Sequence, residues 1–171
     1  DLKLWQTYRL SAEDNIEGGH QILLVNVPFE VMSQLAIIQL QVRQPVLFGN
    51  DVLQDLDRPT GTLKGELYQL SDLLDCDCTL SQGERFETKI ANLSHAMTLV
   101  GVDLVDNQPR RWKVENSWGS QVGHLGYFNA DAAWMQAYAY EMVIQREFLS
   151  DQVQQALATT PIDLPAWDRL G

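Results

Sequence analysis

The chain has 171 residues and a formal net charge of −11, from 23 acidic against 12 basic side chains. Such a surface repels phosphate backbones, and the densest basic pair, Arg110-Arg111, offers no local exception, so nucleic-acid binding is disfavoured. A hydrophobic fraction of 45%, with five Trp, five Tyr and five Phe, supports a packed core.

No segment approaches the ~18–20 consecutive apolar residues of a membrane span, and the start Asp1-Leu2-Lys3-Leu4-Trp5 is no signal peptide. A first residue other than Met suggests a processed or excised piece. The only cysteines, Cys76 and Cys78, sit in Asp75-Cys76-Asp77-Cys78. One intervening residue strains a disulfide between them, and flanking carboxylates oppose a thiolate. They read as inert thiols in a reducing, cytoplasmic setting, with metal ligation and nucleophilic catalysis as the alternatives. Neither a metal nor another cofactor is expected.

Residues 1–27 read as irregular or extended, with a turn at Gly18-Gly19 and a short strand at Ile22-Leu23-Leu24-Val25. Pro28 suits a first helical position, and Val31, Leu35, Ile38 and Val42, widened by Met32 and Leu40, predict a helix over 28–43. Pro45 ends it, and 46–49 reads as a buried strand. The acidic stretch 50–80, with Pro59, Gly61 and Gly65, is turn-rich, and a short helix follows around 81–91.

Residues 94–105 and 110–118 predict two strands joined by a hairpin turn at Asp106-Asn107-Gln108-Pro109. The second alternates, with Trp112, Val114 and Asn116 on one face and Arg111, Lys113 and Glu115 on the other. A loop carrying Gly119, Gly123 and Gly126 leads to a strand at Tyr127-Phe128. A helix near 131–138, a strand near 140–146 and a helix near 150–158 complete an α+β chain.

His95 begins the first hairpin strand and Asn116 lies near the end of the second. Antiparallel pairing brings the two together at the open end of the hairpin. On one face, the Asn oxygen accepts from one imidazole nitrogen and fixes the ring, leaving the other nitrogen to take a proton from a nucleophile. Trp118 follows closely enough to cover that bond. A histidine at a strand end is more often exposed or structurally hydrogen-bonded than catalytic, and spacing alone does not overturn that reading for His95. His20 and His124 have no comparable partner and read as ordinary surface histidines.

Ser94-His95-Ala96-Met97-Thr98-Leu99-Val100-Gly101-Val102, followed by Trp112-Lys113-Val114-Glu115-Asn116-Ser117-Trp118-Gly119, resembles the His and Asn boxes of papain-like cysteine peptidases. More narrowly, the chain is similar to the bleomycin hydrolase and bacterial aminopeptidase C family. Leu24-Val25-Asn26-Val27-Pro28, Phe48-Gly49-Asn50-Asp51-Val52, Gly83-Glu84-Arg85-Phe86 and Leu164-Pro165-Ala166-Trp167-Asp168 support the likeness.

The resemblance implies that residues 1–171 are the C-terminal, sheet-rich, His/Asn-bearing portion of a papain-like domain whose Cys-bearing half lies upstream. It implies a cytoplasmic thiol aminopeptidase acting on peptides, with His95 as general base and acid, Asn116 as its orienter and Trp118 as shield. It further implies a homo-hexamer, or association with the N-terminal half, and a C-terminal tail, ending here at Gly171, that meets the substrate's amino group. The family's nucleophilic Cys box and oxyanion-hole Gln are absent from this sequence, so the chain alone is expected to be inactive. Asn50 replaces an expected Cys in Gly-Cys-Asp-Val, and Arg169-Leu170-Gly171 replaces a usual Pro-Met-Gly and its extension. A non-catalytic papain-like scaffold or interaction module is the alternative, and a self-contained enzyme using Cys76 or Cys78 a third.

Overall fold

The computed structural model of the chain describes residues 2–10, 16–165 and 168. Its strands are β1 (Thr7–Arg9), β2 (Leu23–Val25), β3 (Val46–Asn50), β4 (Leu56–Asp57), β5 (Thr62–Leu63), β6 (His95–Val105), β7 (Gln108–Glu115), β8 (Tyr127–Asp131), β9 (Ala139–Val143) and β10 (Ile162–Asp163). The helices among the described residues are α1 (Phe29–Gln41), α2 (Leu70–Leu74), α3 (Gln82–Glu87), α4 (Ala132–Tyr138) and α5 (Asp151–Leu157), and Arg146–Phe148 forms a 3-10 turn. Contacts divide the chain into two units, residues 1–35 with 144–171, and residues 36–143.

In the first unit β1 is the centre of a three-stranded sheet, antiparallel to β2 and parallel to β10. Tyr8, Leu10 and Leu164 form its small core with Leu24 against them. Thr7 is fully buried, and its hydroxyl donates to the Ala156 carbonyl of α5 at 2.7 Å, so burial costs it no hydrogen bond. Ser150 caps α5 by accepting from the Val153 N–H. The sequence reads residues 1–27 as irregular or extended, with a strand named only at 22–25. β1 has only three residues, and its ladder depends on partners distant in sequence.

The second unit is built on a seven-stranded sheet in the order β4-β5-β8-β7-β6-β3-β9. Register puts Val46 and Phe48 of β3 opposite Leu99 and Met97 of β6, and Val114 of β7 opposite both Leu99 and Phe128 of β8. Directly opposed residues share a face, so these buried side chains form one apolar ladder across four strands. Trp112, Ala130, Leu63, Trp134 and Met135 extend the core. Asp131 caps α4 by accepting from the Trp134 N–H, and the Trp134 indole donates to the Gln54 carbonyl at 2.7 Å.

The helix over 28–43 is present as α1, but its buried stripe differs from the one the spacing suggests. Ser33, Leu35, Ala36, Ile37 and Gln39 are buried, whereas Ile38 and Val42 are exposed. The helix is apolar on more than one side, so periodicity alone does not select its inner face. Gln39 satisfies its buried amide by donating to the Pro45 carbonyl at 2.7 Å. Within 50–80, β4 and β5 have two residues each and α2 has no buried residue, which leaves no periodicity to read.

Candidate active site

The hairpin β6–β7 positions the site through a pair of compensating irregularities. The turn is tighter than the four residues the sequence suggests. Val105 pairs with Gln108, and the two turn residues Asp106 and Asn107 have φ of 51° and 60°, the left-handed pair that matches strand twist. Register then shifts between Asp103 and Leu104, where β7 carries an extra residue, and again between Leu99 and Gly101, where β6 carries one. The second shift cancels the first. A net slip of one residue would move His95 and Asn116 to opposite faces.

With both bulges in place, Thr98 pairs with Glu115, so Asn116 continues the buried face opposite Met97, and His95 lies diagonally across from it. The apolar ladder therefore ends in polar residues. His95 sits directly opposite Asn50 of β3, and the Ser94 N–H donates to the Asn50 carbonyl at 3.2 Å.

His95 Nε2 lies 2.8 Å from Asn116 Oδ1. The same oxygen accepts from the Ser117 backbone N–H at 2.8 Å. A backbone N–H only donates, so this amide atom is the oxygen, and the imidazole nitrogen facing it carries a proton. Nε2–H thus donates to Oδ1, and Nδ1 is left as the basic nitrogen of the neutral ring. The Asn116 backbone is held in turn, its N–H donating to the Gly126 carbonyl at 3.0 Å.

Trp118 lies beside His95, its ring centroid 5.0 Å from the imidazole and the planes tilted by 34°. Phe128 meets Trp118 edge-on at 5.8 Å, and the Arg58 guanidinium lies over the Trp118 ring, 4.9 Å from its centroid. The glycine-rich loop makes this packing possible. Gly123 has φ of 63°, and a Cβ there would stand 2.6 Å from the Phe128 ring. Gly61, φ 69°, meets the same ring at 2.7 Å from the facing loop.

Sequence reasoning finds His95, Asn116 and Trp118, and the structure brings all three together. It misses Arg58 and Phe128 as supports of Trp118, and Asn50 as the neighbour of His95. Arg58 lies in the turn-rich stretch without periodicity, and no local signal ties it to a tryptophan sixty residues on. Asn50 is fully buried, and neither atom of its amide has a hydrogen-bond partner among the described residues. The tail residue Gly171 lies outside the described residues. His20 and His124 take no part in the His95–Asn116 pair. An open cavity of about 640 Å³, lined by Thr62, Arg111, Lys113, His124 and Tyr127 among others, is on the opposite face of the sheet and does not include His95, Asn116 or Trp118.

Among the described residues no group of three or more His, Cys, Asp or Glu is arranged to hold a metal ion, and no helix is long and apolar enough to cross a membrane. Cys76 and Cys78 are both exposed and unbridged.

The α+β architecture is that of papain-like peptidases. A crystal structure of PepW from Lactobacillus rhamnosis HN001 superposes with a TM-score of 0.93 at 37% identity, covering 98% of this chain and 38% of that one. The chain belongs to the Peptidase C1-like family, whose model matches residues 1–171. It is 46% identical to aminopeptidase G of Lactobacillus delbrueckii subsp. lactis over 99% of its length, and 48% identical to aminopeptidase E of Lactobacillus helveticus over 95%. Identity to aminopeptidase C of Lactobacillus helveticus is 36%, so the likeness is higher to the G and E relatives than to that one. The chain spans 39%, 37% and 39% of these three relatives respectively.

Proposed function

We propose that this chain is the C-terminal, His/Asn-bearing part of a cysteine aminopeptidase that removes N-terminal residues from peptides. The observation that carries the reading is the 2.8 Å contact from His95 Nε2 to Asn116 Oδ1, with the oxygen assignment fixed by the Ser117 N–H. A ring oriented in this way presents Nδ1 as a base. In the reaction Nδ1 takes the proton of a cysteine thiol, the thiolate attacks the peptide carbonyl, and the imidazolium returns that proton to the leaving amine. Asn116 favours the charged ring by accepting from it, and Trp118 keeps water from the bond.

The nucleophile and the oxyanion-hole donor come from the part of the relatives' length that these residues do not span. Neither Cys76 nor Cys78 suits the role, since Asp75 and Asp77 flank them and the Cys78 thiol is held above its ordinary value, chiefly by its hydrogen bond with Cys76. The whole protein is then a cytoplasmic homo-oligomer, with a hexamer the expected form, and a C-terminal tail that includes Gly171 sets the substrate's amino end. Extending or amidating the C-terminal tail of the whole protein provides its separate check, through loss of preference for free N-termini.

The test is substitution in the complete protein. His95→Ala is expected to abolish aminoacyl-substrate turnover, a fall of about 10⁶-fold in kcat where triad members have been removed. Cys76→Ser with Cys78→Ser is expected to leave turnover unchanged. Activity that survives His95→Ala, or dies with the paired serines, overturns the assignment. Loss of both activity and thiol-reactive nucleophile in the unsubstituted protein favours the non-catalytic scaffold.

A further inference from the structure

The exposed acidic turn after α2 holds both cysteines of the chain, and its backbone sets their sulfurs against one another. Asp75 ends α2 with φ of 52°, turning the chain back on itself. Ser71 gathers the returning strand. Its carbonyl accepts from the Asp75 and Cys76 N–H groups, the latter at 3.2 Å, and its hydroxyl accepts from the Cys78 N–H at 3.0 Å. Asp77, between the cysteines, is turned to Thr79, whose N–H and hydroxyl donate to its Oδ1 at 2.9 and 2.6 Å.

The result is a Cys76 Sγ to Cys78 Sγ distance of 3.6 Å, with both side chains exposed. Alternate residues of an extended strand share a side but stand about 6–7 Å apart. Three backbone N–H groups on one serine, and not the one-residue spacing, close that gap. The strain that the spacing alone suggests is met by a turn that has already bent the backbone. The Cys78 thiol is raised above its ordinary value, chiefly by its hydrogen bond with Cys76.

We propose that Cys76 and Cys78 form a preorganised dithiol site that reacts with small neutral or cationic disulfides and closes to an intramolecular disulfide. One cysteine, as thiolate, attacks a sulfur of the small disulfide, forming a mixed disulfide and expelling one small thiolate, which takes up a proton. The second cysteine gives up its proton and attacks the protein sulfur of the mixed bond, expelling the second small thiolate. Two protein thiols are oxidised and one small disulfide is reduced to two thiols, so atoms and electrons balance. Asp75 and Asp77 give the site its charge preference. They repel an anionic disulfide and attract a cationic one, and salt screens both effects. The proposal is independent of the peptidase reading.

The experiment treats the 171-residue chain with 2-hydroxyethyl disulfide, folded and in denaturant, and follows intact mass after acid quench. The folded chain is expected to lose two hydrogens and retain no adduct, while Cys76→Ser and Cys78→Ser each stop at the mixed disulfide. The effective concentration of the second thiol, read from the ratio of closed to mixed forms, is expected to be at least about tenfold higher folded than denatured. Ser71→Ala, checked for native circular dichroism, removes the hydroxyl that accepts from the Cys78 N–H and keeps the carbonyl that accepts from Asp75 and Cys76, so it is expected to lower that concentration without reaching the denatured value. Cystamine should close the pair faster than glutathione disulfide, with the gap narrowing in high salt. A folded chain that stays reduced, stops at the mixed disulfide, cross-links to a second chain, or closes no better than the denatured one overturns the proposal.

Discussion

Asn116→Ala in the complete protein separates the orienting role of this side chain from a merely structural one. The substitution removes the acceptor 2.8 Å from His95 Nε2. In the proposed reaction that bond is made to a ring that becomes charged, and hydrogen bonds to charged groups contribute about 1.5–3 kcal/mol. At 1.4 kcal/mol per factor of ten, kcat/KM should fall about 10- to 150-fold. Stability should respond differently. Asn116 Nδ2 is buried with no hydrogen-bond partner among the described residues, and removing an unsatisfied donor offsets part of the loss. The unfolding free energy is therefore expected to change by less than the activation free energy. Steady-state kinetics on an aminoacyl substrate, paired with urea unfolding, measures both. A kcat/KM within twofold of the parent, or a stability loss larger than the catalytic one, would refute the orienting role.

Deleting Val100, at the register shift between Leu99 and Gly101, should leave the turn-side bulge uncompensated and carry His95 to the face opposite Asn116, so the imidazole proton signal of the paired ring should vanish; an unchanged signal would mean the register is set elsewhere. Arg85 lies 3.6 Å from Asp51, and both are buried. Arg85→Met strands a buried carboxylate and should cost about 3–5 kcal/mol at neutral pH. Burial raises the Asp51 carboxyl, with Arg85 among the groups that oppose it. A carboxyl raised in the folded state adds stability below its unfolded value of 3.8, and loses that contribution as pH climbs through the folded value. The cost of Arg85→Met should therefore shrink as pH falls toward that value, and a pH-independent cost would contradict the pairing. Leu47 and Val143 are opposed on β3 and β9 and both exposed, as are Ile38 and Val42. Sedimentation of the chain should show self-association or a bound complementary segment; a clean monomer at high concentration would count against it.

Much of the hairpin was legible because its information is local. Trp112 and Val114 alternate with charged residues, and the turn chemistry of Asp106-Asn107 sits between two apolar runs. The same local pattern placed His95 and Asn116 at one end, although it could not show that two bulges cancel, since pairing register is a property of both strands together. The helices expected around 81–91 and near 150–158 are present as α3 and α5, and the structure caps them with Ser81 and Glu84 and with Ser150. What stayed hidden depends on distance. Arg58 over Trp118 joins a loop to a residue beyond three strands, and β1 has no strand pattern of its own. The dithiol turn was invisible for another reason, because backbone hydrogen bonds to Ser71 set its geometry and no sequence spacing reports them.

The central claim is that His95 and Asn116 serve a cysteine nucleophile which these 171 residues do not supply. The most direct measurement is thiol-dependent hydrolysis of an aminoacyl substrate by the chain alone, and again after adding the complementary N-terminal segment of a relative that contains a papain-type Cys box. No turnover above background from the chain alone, appearance of turnover on complementation, and its loss with His95→Ala are the expected results. Turnover from the chain alone that is blocked by alkylating Cys76 or Cys78 would contradict the account and identify a self-contained enzyme.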